Sequence, residues 1–285
     1  MTSALIQEPG RGRDGPLAEF LELRSEFERR RPPGGGTEIC RQLTDALDRA
    51  LANLYDDRPG TALVAVGGYG RREQCLWSDV DIMFLHDGSS SAAGAQAVLY
   101  PLWDARLKVG HSMRTVREAG SVSRESFETL TSLLHPRLIA GDPDLLNELI
   151  DRIGRWLRSD RARVTSAIVA EERERRHREP FRLLAADLKS GRGGLRTLQG
   201  IEWDRRRLEF LGRDDPVPPG AEEAAALETL LDVRNALHAV TGRATDVYTF
   251  ELAPRVAEWL GSDRRSTGTR VYRAVRAAET AAREL

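Results

Sequence analysis

TALVAVGGYGRREQCLWSDVDIMFLH, residues 61–86, decides the fold of this chain. It opens on an unbroken apolar run, Leu63 to Val66, the pattern of a short strand covered on both faces. Gly67 and Gly68 follow, where the missing Cβ lets the backbone turn tightly and brings its amides close to a ligand. A second strand opens with Ser78-Asp79-Val80-Asp81 and is anchored by Ile82, Met83, Phe84 and Leu85. Side chains two apart on a strand share a face, so Asp79 and Asp81 are expected to stand side by side. Neighbouring carboxylates repel unless a cation lies between them. Magnesium, a hard ion that takes oxygen ligands and shares them with phosphates, is the expected occupant. Turn amides for phosphates and paired carboxylates for ions together describe a nucleotide site.

Outward from this stretch, the periodicity predicts helices on both sides. Leu17, Phe20, Leu21 and Phe27 recur at helical spacing over 17–30, and the Pro-Pro-Gly-Gly-Gly run at 32–36 stops that helix. A second helix is expected over 37–55 with Thr37 as its N-cap. Downstream, 87–94 reads as a surface loop, 95–107 as a helix interrupted by Pro101, 108–114 as a third strand and 125–138 as a helix. Beyond residue 150 the texture is helical, with a charge-rich segment at 171–179 expected to be solvated and a glycine break at 191–194. An amphipathic helix is expected over 222–240, and shorter ones over 254–260 and 269–285. The chain is therefore read as α+β. Residues 1–16 are expected to be disordered, helices to occupy 17–58, a small mixed-sheet domain to span 46–145 and an all-helical domain to span 146–285.

Composition narrows the class. Forty-three basic residues against 44 acidic ones leave no global field for nucleic acid or an anionic membrane, so a phosphate site must come from a local cluster. Cys40 and Cys75 form no disulfide or zinc pattern. With no signal peptide and no membrane-length apolar run, a cytoplasmic protein is expected.

Gly67-Gly68-Tyr69-Gly70-Arg71 through Ser78-Asp79-Val80-Asp81 resembles the nucleotidyltransferase superfamily signature, in the form found in PII-protein uridylyltransferases of bacterial nitrogen signalling. Three further blocks resemble that family in the same order: Val109 to Thr115, Lys189 to Arg196, and Val233 to His238 with Gly242-Arg243. The resemblance implies a nucleotidyltransferase domain and magnesium-dependent transfer of UMP or AMP from UTP or ATP to a hydroxyl of a PII-like protein. It assigns Asp79 and Asp81 to the metal, and Gly67, Gly68 and Ser78 to the phosphates.

Lys189 and Arg192, with Arg196, surround three glycines and are read as an anion nest, or as cations on a helix start. Position 197 is Thr, where the family pattern carries Asp. Arg71 and Glu73 are read as a pair that fixes the loop. Superfamily members take a third carboxylate from a neighbouring strand, where this chain offers Gly110 and His111. The hydrolase and sensor domains of full-length relatives are expected to be absent. Two rival readings stay open: an enzyme that modifies a small-molecule hydroxyl, and a non-catalytic nucleotide-binding scaffold. Trp156, Trp203 and Trp259 are expected in helix packing.

Overall fold

The apolar run becomes β1 (Thr61–Ala65), buried at every position. It pairs antiparallel with β2 (Val80–His86) on one side and with β4 (Arg137–Gly141) on the other. β2 pairs parallel with β3 (Val109–Thr115), giving a mixed sheet of order β3-β2-β1-β4. The computed structural model describes residues 15–56, 58–88, 93–178, 185–212 and 218–283.

Alternation along the strands gives the sheet two apolar faces. Leu63, Ala65, Ile82 and Phe84 share a core with α1 (Ala18–Arg29), α2 (Gly35–Leu54) and α4 (Ala93–Asp104). Ala62, Val64, Met83 and Leu85 share another with α5 (Val116–Glu125) and α7 (Pro143–Ser159). Helices on both faces are the reason these strands read as continuous apolar runs.

A third core belongs to the helical half, with Leu195, Leu198, Leu230, Leu237, Val256 and Val271 at its centre. Its elements are α9 (Leu195–Phe210), α10 (Ala221–Thr241), α11 (Ala253–Trp259) and α12 (Arg264–Ala281), whereas α8 (Arg161–Arg178) gives Val164 and Ile168 to the core of α5 and α7. A two-stranded antiparallel ribbon, β5 (Ala185–Asp187) and β6 (Val247–Thr249), lies among them. α2 joins the halves, because it packs on α10 as well as beside the sheet. The approach is so close that a Cβ on Gly36 would lie 2.1 Å from the Asp232 amide nitrogen. Trp156 and Trp203 are buried, and Trp259 donates its indole N–H to the Phe27 carbonyl at 3.2 Å. Among the described residues, no helix is long and apolar enough to cross a membrane.

Several expectations are corrected. The single helix over 125–138 is instead the end of α5, a short α6 (Phe127–Ser132) and β4. Pro136 disfavours helix at its own position and before it, and the open edge of β1 supplies the residues that follow with a hydrogen-bonding partner. Thr37 is not an N-cap: α2 begins at Gly35 behind a left-handed Gly34. The Glu228 carboxylate of α10 accepts from the Thr37 N–H at 3.0 Å and from the Gly36 N–H, so a distant helix does the capping.

The charged segment of α8 is not wholly solvated. Glu172 is buried, accepts from the Thr197 hydroxyl at 3.1 Å and pairs with Arg175 at 3.3 Å. α10 is not amphipathic throughout, since residues 230–238 are buried on all sides. α12 starts at Arg264, earlier than expected, with the Asp263 carboxylate accepting from the Ser266 N–H at 2.9 Å. Cys40 and Cys75 meet in the core as free thiols, their Sγ atoms 3.5 Å apart. The expected disorder of 1–16 falls almost wholly outside the described residues, as does half of the loop at 87–94, and residues 93 and 94 of that loop instead begin α4.

Candidate active site

Where β1 ends, the chain makes one helical turn, α3 (Gly67–Gly70). Gly67 has φ of 59°, and a Cβ there would come within 3.1 Å of Asp81 Oδ2. Glycine is needed here both for the backbone conformation and for the carboxylate beside it. Asp79 stands one residue ahead of β2 and Asp81 is the second residue within it. Burial and the charge of Asp79 push the Asp81 pKa above the ordinary carboxylate value, against the pull of Lys189, Lys108 and Arg196. Lys108 Nζ donates to Asp79 Oδ2 at 2.6 Å.

β3 places Gly110 directly beside Asp81 in the parallel register. A Cβ at Gly110 would sit 2.4 Å from Asp81 Oδ1, so a side chain there would have to displace that carboxylate. Among the described residues, no group of three or more His, Cys, Asp or Glu gathers to hold a metal ion. The oxygen donors of Asp79 and Asp81 suit a hard cation that completes its shell with water and substrate phosphate.

The segment 75–78 is held from across the molecule by one face of α10. Asn235 Oδ1 accepts from the Leu76 N–H at 3.1 Å, and His238 Nδ1 accepts from the Trp77 N–H at 3.1 Å. Arg234 Nη1 donates to Ser78 Oγ at 3.1 Å, while its Nε donates to Asp246 Oδ1 at 2.7 Å. Residues 234, 235 and 238 reach one loop because positions three and four apart share a helix face. Burial, helped by the Arg234 charge and opposed by Asp246, pulls the His238 pKa down to about 4. The imidazole is therefore neutral near pH 7, and its Nδ1 lone pair remains an acceptor.

Ser78 Oγ also accepts from the Cys75 N–H at 3.2 Å. With both acceptor positions used, its one proton is left to donate elsewhere. Arg71 and Glu73 pair at 2.9 Å with both side chains largely buried, and Gln199 Nε2 donates to the same carboxylate at 2.8 Å. The expected ion pair is thus present and is tied to α9 through Gln199.

These groups border a cleft of about 340 Å³. Gly67, Gly68, Ser78, Asp79 and Asp81 form its sheet side, and Lys189, Arg196 and Arg234 line its helical side. Glu128, Thr129, Thr131 and Ser132 of α6 add polar groups. Lys189 thus joins the sheet residues singled out from sequence. Arg192 does not line the cleft: its Nε lies 2.7 Å from Glu279 Oε1 on α12.

Sequence reading missed the wall contributed by α6, because it merged that element into a longer helix. It grouped Arg234, Asn235 and His238 into a block without giving them a role. The available signal was the placement of Asp232, Arg234, Asn235 and His238 among Leu230, Leu231, Val233, Ala236 and Leu237, polar groups where a helix is otherwise apolar.

A family model described as GlnD PII-uridylyltransferase matches residues 163–285. Three relatives, each named bifunctional uridylyltransferase/uridylyl-removing enzyme, show how far the similarity extends. The Ruegeria pomeroyi protein is 37% identical over 213 residues, covering 70% of this chain and 24% of the relative. The Mycobacterium tuberculosis protein is 35% identical over 254 residues, covering 84% and 31%. The Streptomyces coelicolor protein is 36% identical over 260 residues, covering 88% and 30%. The chain spans between about a quarter and a third of the length of these relatives.

Proposed function

From a chain that belongs to the GlnD PII-uridylyltransferase family, we propose an enzyme that transfers UMP from UTP to a hydroxyl of a PII-type protein in the cytoplasm. Transfer of AMP from ATP is the alternative for the same carboxylates. The observation that carries this reading is the single cleft in which Asp79 and Asp81 lie beside Gly67 and across from Lys189 and Arg234.

Asp79 and Asp81 are the residues that would hold magnesium. When bound, the ion supplies charge neutralisation at the reacting phosphate and lowers the pKa of an attacking hydroxyl. The chain's own groups do the rest. Gly67 and Gly68 allow phosphate oxygens to approach the backbone amides of α3. Ser78, held by Arg234 and the Cys75 amide, donates its remaining proton to a phosphate oxygen. Lys189 adds positive charge on the opposite side, where charge builds on the leaving pyrophosphate. Lys108, paired with Asp79 at 2.6 Å, neutralises one carboxylate and would have to release it for a metal ion to be held there.

Incubation with magnesium and labelled UTP or ATP, with and without a PII-type protein, tests the proposal. Label appearing on the PII-type protein supports it, and the productive triphosphate identifies the base. Pyrophosphate release in the presence of small hydroxyl compounds, without protein labelling, would move the acceptor to a small molecule. Nucleotide binding with neither outcome would make the chain a scaffold.

A further inference from the structure

Arg192 and Arg196 lie on one short segment, yet the fold sends them to different places. Arg192 reaches Glu279 on α12, while Arg196 lines the cleft. The Arg196 guanidinium lies 5.8 Å from the Trp203 ring centroid and, among the described residues, donates one hydrogen bond, from Nη1 to Gln199 Oε1 at 3.2 Å. Among the described residues, no carboxylate lies within ion-pairing distance of it. Glu73, Glu128 and Asp81 act on it only through their fields; Glu73 is committed to Arg71 and Gln199, and none of the three forms an ion pair or hydrogen bond with it.

Like charges make this position costlier still. Burial, with Arg71 and Arg175 nearby, lowers the Arg196 pKa from its usual value, but an arginine side chain stays protonated across the ordinary pH range. A half-buried cation without a counterion is unfavourable, and an anion entering the cleft relieves that cost. The helix start of α9 is not the receptor. The Leu195 and Arg196 N–H groups already donate to the Leu188 and Lys189 carbonyls at 2.8 and 2.9 Å. The guanidinium, a planar fork with several N–H donors, matches two phosphate oxygens.

Resting on the nucleotidyl-transfer reading, we propose that Arg196 grips the terminal phosphates and makes the cleft select a nucleoside triphosphate over the diphosphate and monophosphate. Arg192 takes no part in binding. Asp79, Asp81 and Ser78 occupy the sheet side, where the reacting phosphate belongs, so the terminal phosphates extend toward the side lined by Arg196.

Calorimetric binding of inorganic tripolyphosphate, UTP, UDP and UMP to the full chain, with magnesium, tests this. Arg196→Ala should weaken tripolyphosphate and UTP by about tenfold or more, a charge-assisted bond's worth, and leave UMP unchanged. Arg196→Lys should recover part of the loss, and Arg192→Ala should bind all four as the parent does. Circular dichroism establishes that Arg196→Ala is folded. Equal affinity of parent and Arg196→Ala for UTP and tripolyphosphate overturns the assignment, whatever transfer assays show. So does a parent chain that binds none of these anions. Arg196-dependent tripolyphosphate binding without any nucleotidyl transfer leaves the assignment standing and sinks the transfer reading instead.

Discussion

The two sides of the cleft are built differently. On the sheet side, Asp81 is placed by strand register, with Gly67 and Gly110 leaving it space. On the helical side, Arg234 is placed by its ion pair with Asp246, and the loop ahead of Asp79 hangs on side chains of α10. Backbone register tolerates little adjustment because a one-residue slip reverses every side chain. A side-chain network can be weakened one member at a time. The sheet side should therefore fail abruptly and the helical side gradually.

The largest expected effect lies on the sheet side. Asp79→Asn and Asp81→Asn should each lower transfer by about a thousandfold or more, since each removes a charge that would face the proposed ion, with the circular dichroism spectrum unchanged. Near-parent turnover in either variant would remove that carboxylate from the metal site.

Acid is the next way to separate the two sides, through His238. Its folded pKa of about 4 lies below the unfolded value of 6.5. Between those values the unfolded chain binds the extra proton, so this contribution to stability is complete above pH 6.5 and is lost as pH falls toward 4. At full protonation the loss amounts to about 3 kcal/mol. Urea melts of the parent across this window should show the decline. His238→Asn, which keeps an acceptor and removes the titration, should show less of it.

Gly110→Ala tests the crowding around Asp81. The added Cβ must displace Asp81 Oδ1, so transfer should fall roughly a hundredfold with stability lowered by only about 1 kcal/mol. A variant with parent kinetics would show that Asp81 has another position available. The smallest effect on transfer is expected for Asn235→Ala, which leaves the Leu76 N–H unpaired at a stability cost of about 1–2 kcal/mol. Its kcat should fall more than its affinity for UTP, because the loop that precedes Asp79 loosens while the phosphate ligands stay.

Much of the sheet was legible because its information is local. The run at Leu63 to Val66, the glycine pair and the alternation after Asp79 each declare themselves within a few residues, and β1 and β2 lie within two residues of where they are read, with the glycine turn between them. β4 was not legible, because Arg137–Gly141 becomes a strand only by meeting the free edge of β1, more than seventy residues earlier in the chain. α10 was misread as amphipathic for a related reason. Its polar residues are buried by partners such as Asp246, Ser78 and the Trp77 amide, which no helical periodicity reveals.

By itself the sequence determined the strand, glycine turn and carboxylate pair, since backbone conformation and period-two geometry are properties of neighbouring residues. Tertiary structure alone decided which basic residues face that pair. Arg192 and Arg196 are equivalent in charge and close in sequence, and only the position of Glu279 on a distant helix takes one away and leaves the other in the cleft. The same holds for the segment ahead of Asp79, whose amides find their acceptors 159 and 161 residues away. Such pairings depend on how the chain closes on itself, which local pattern does not specify.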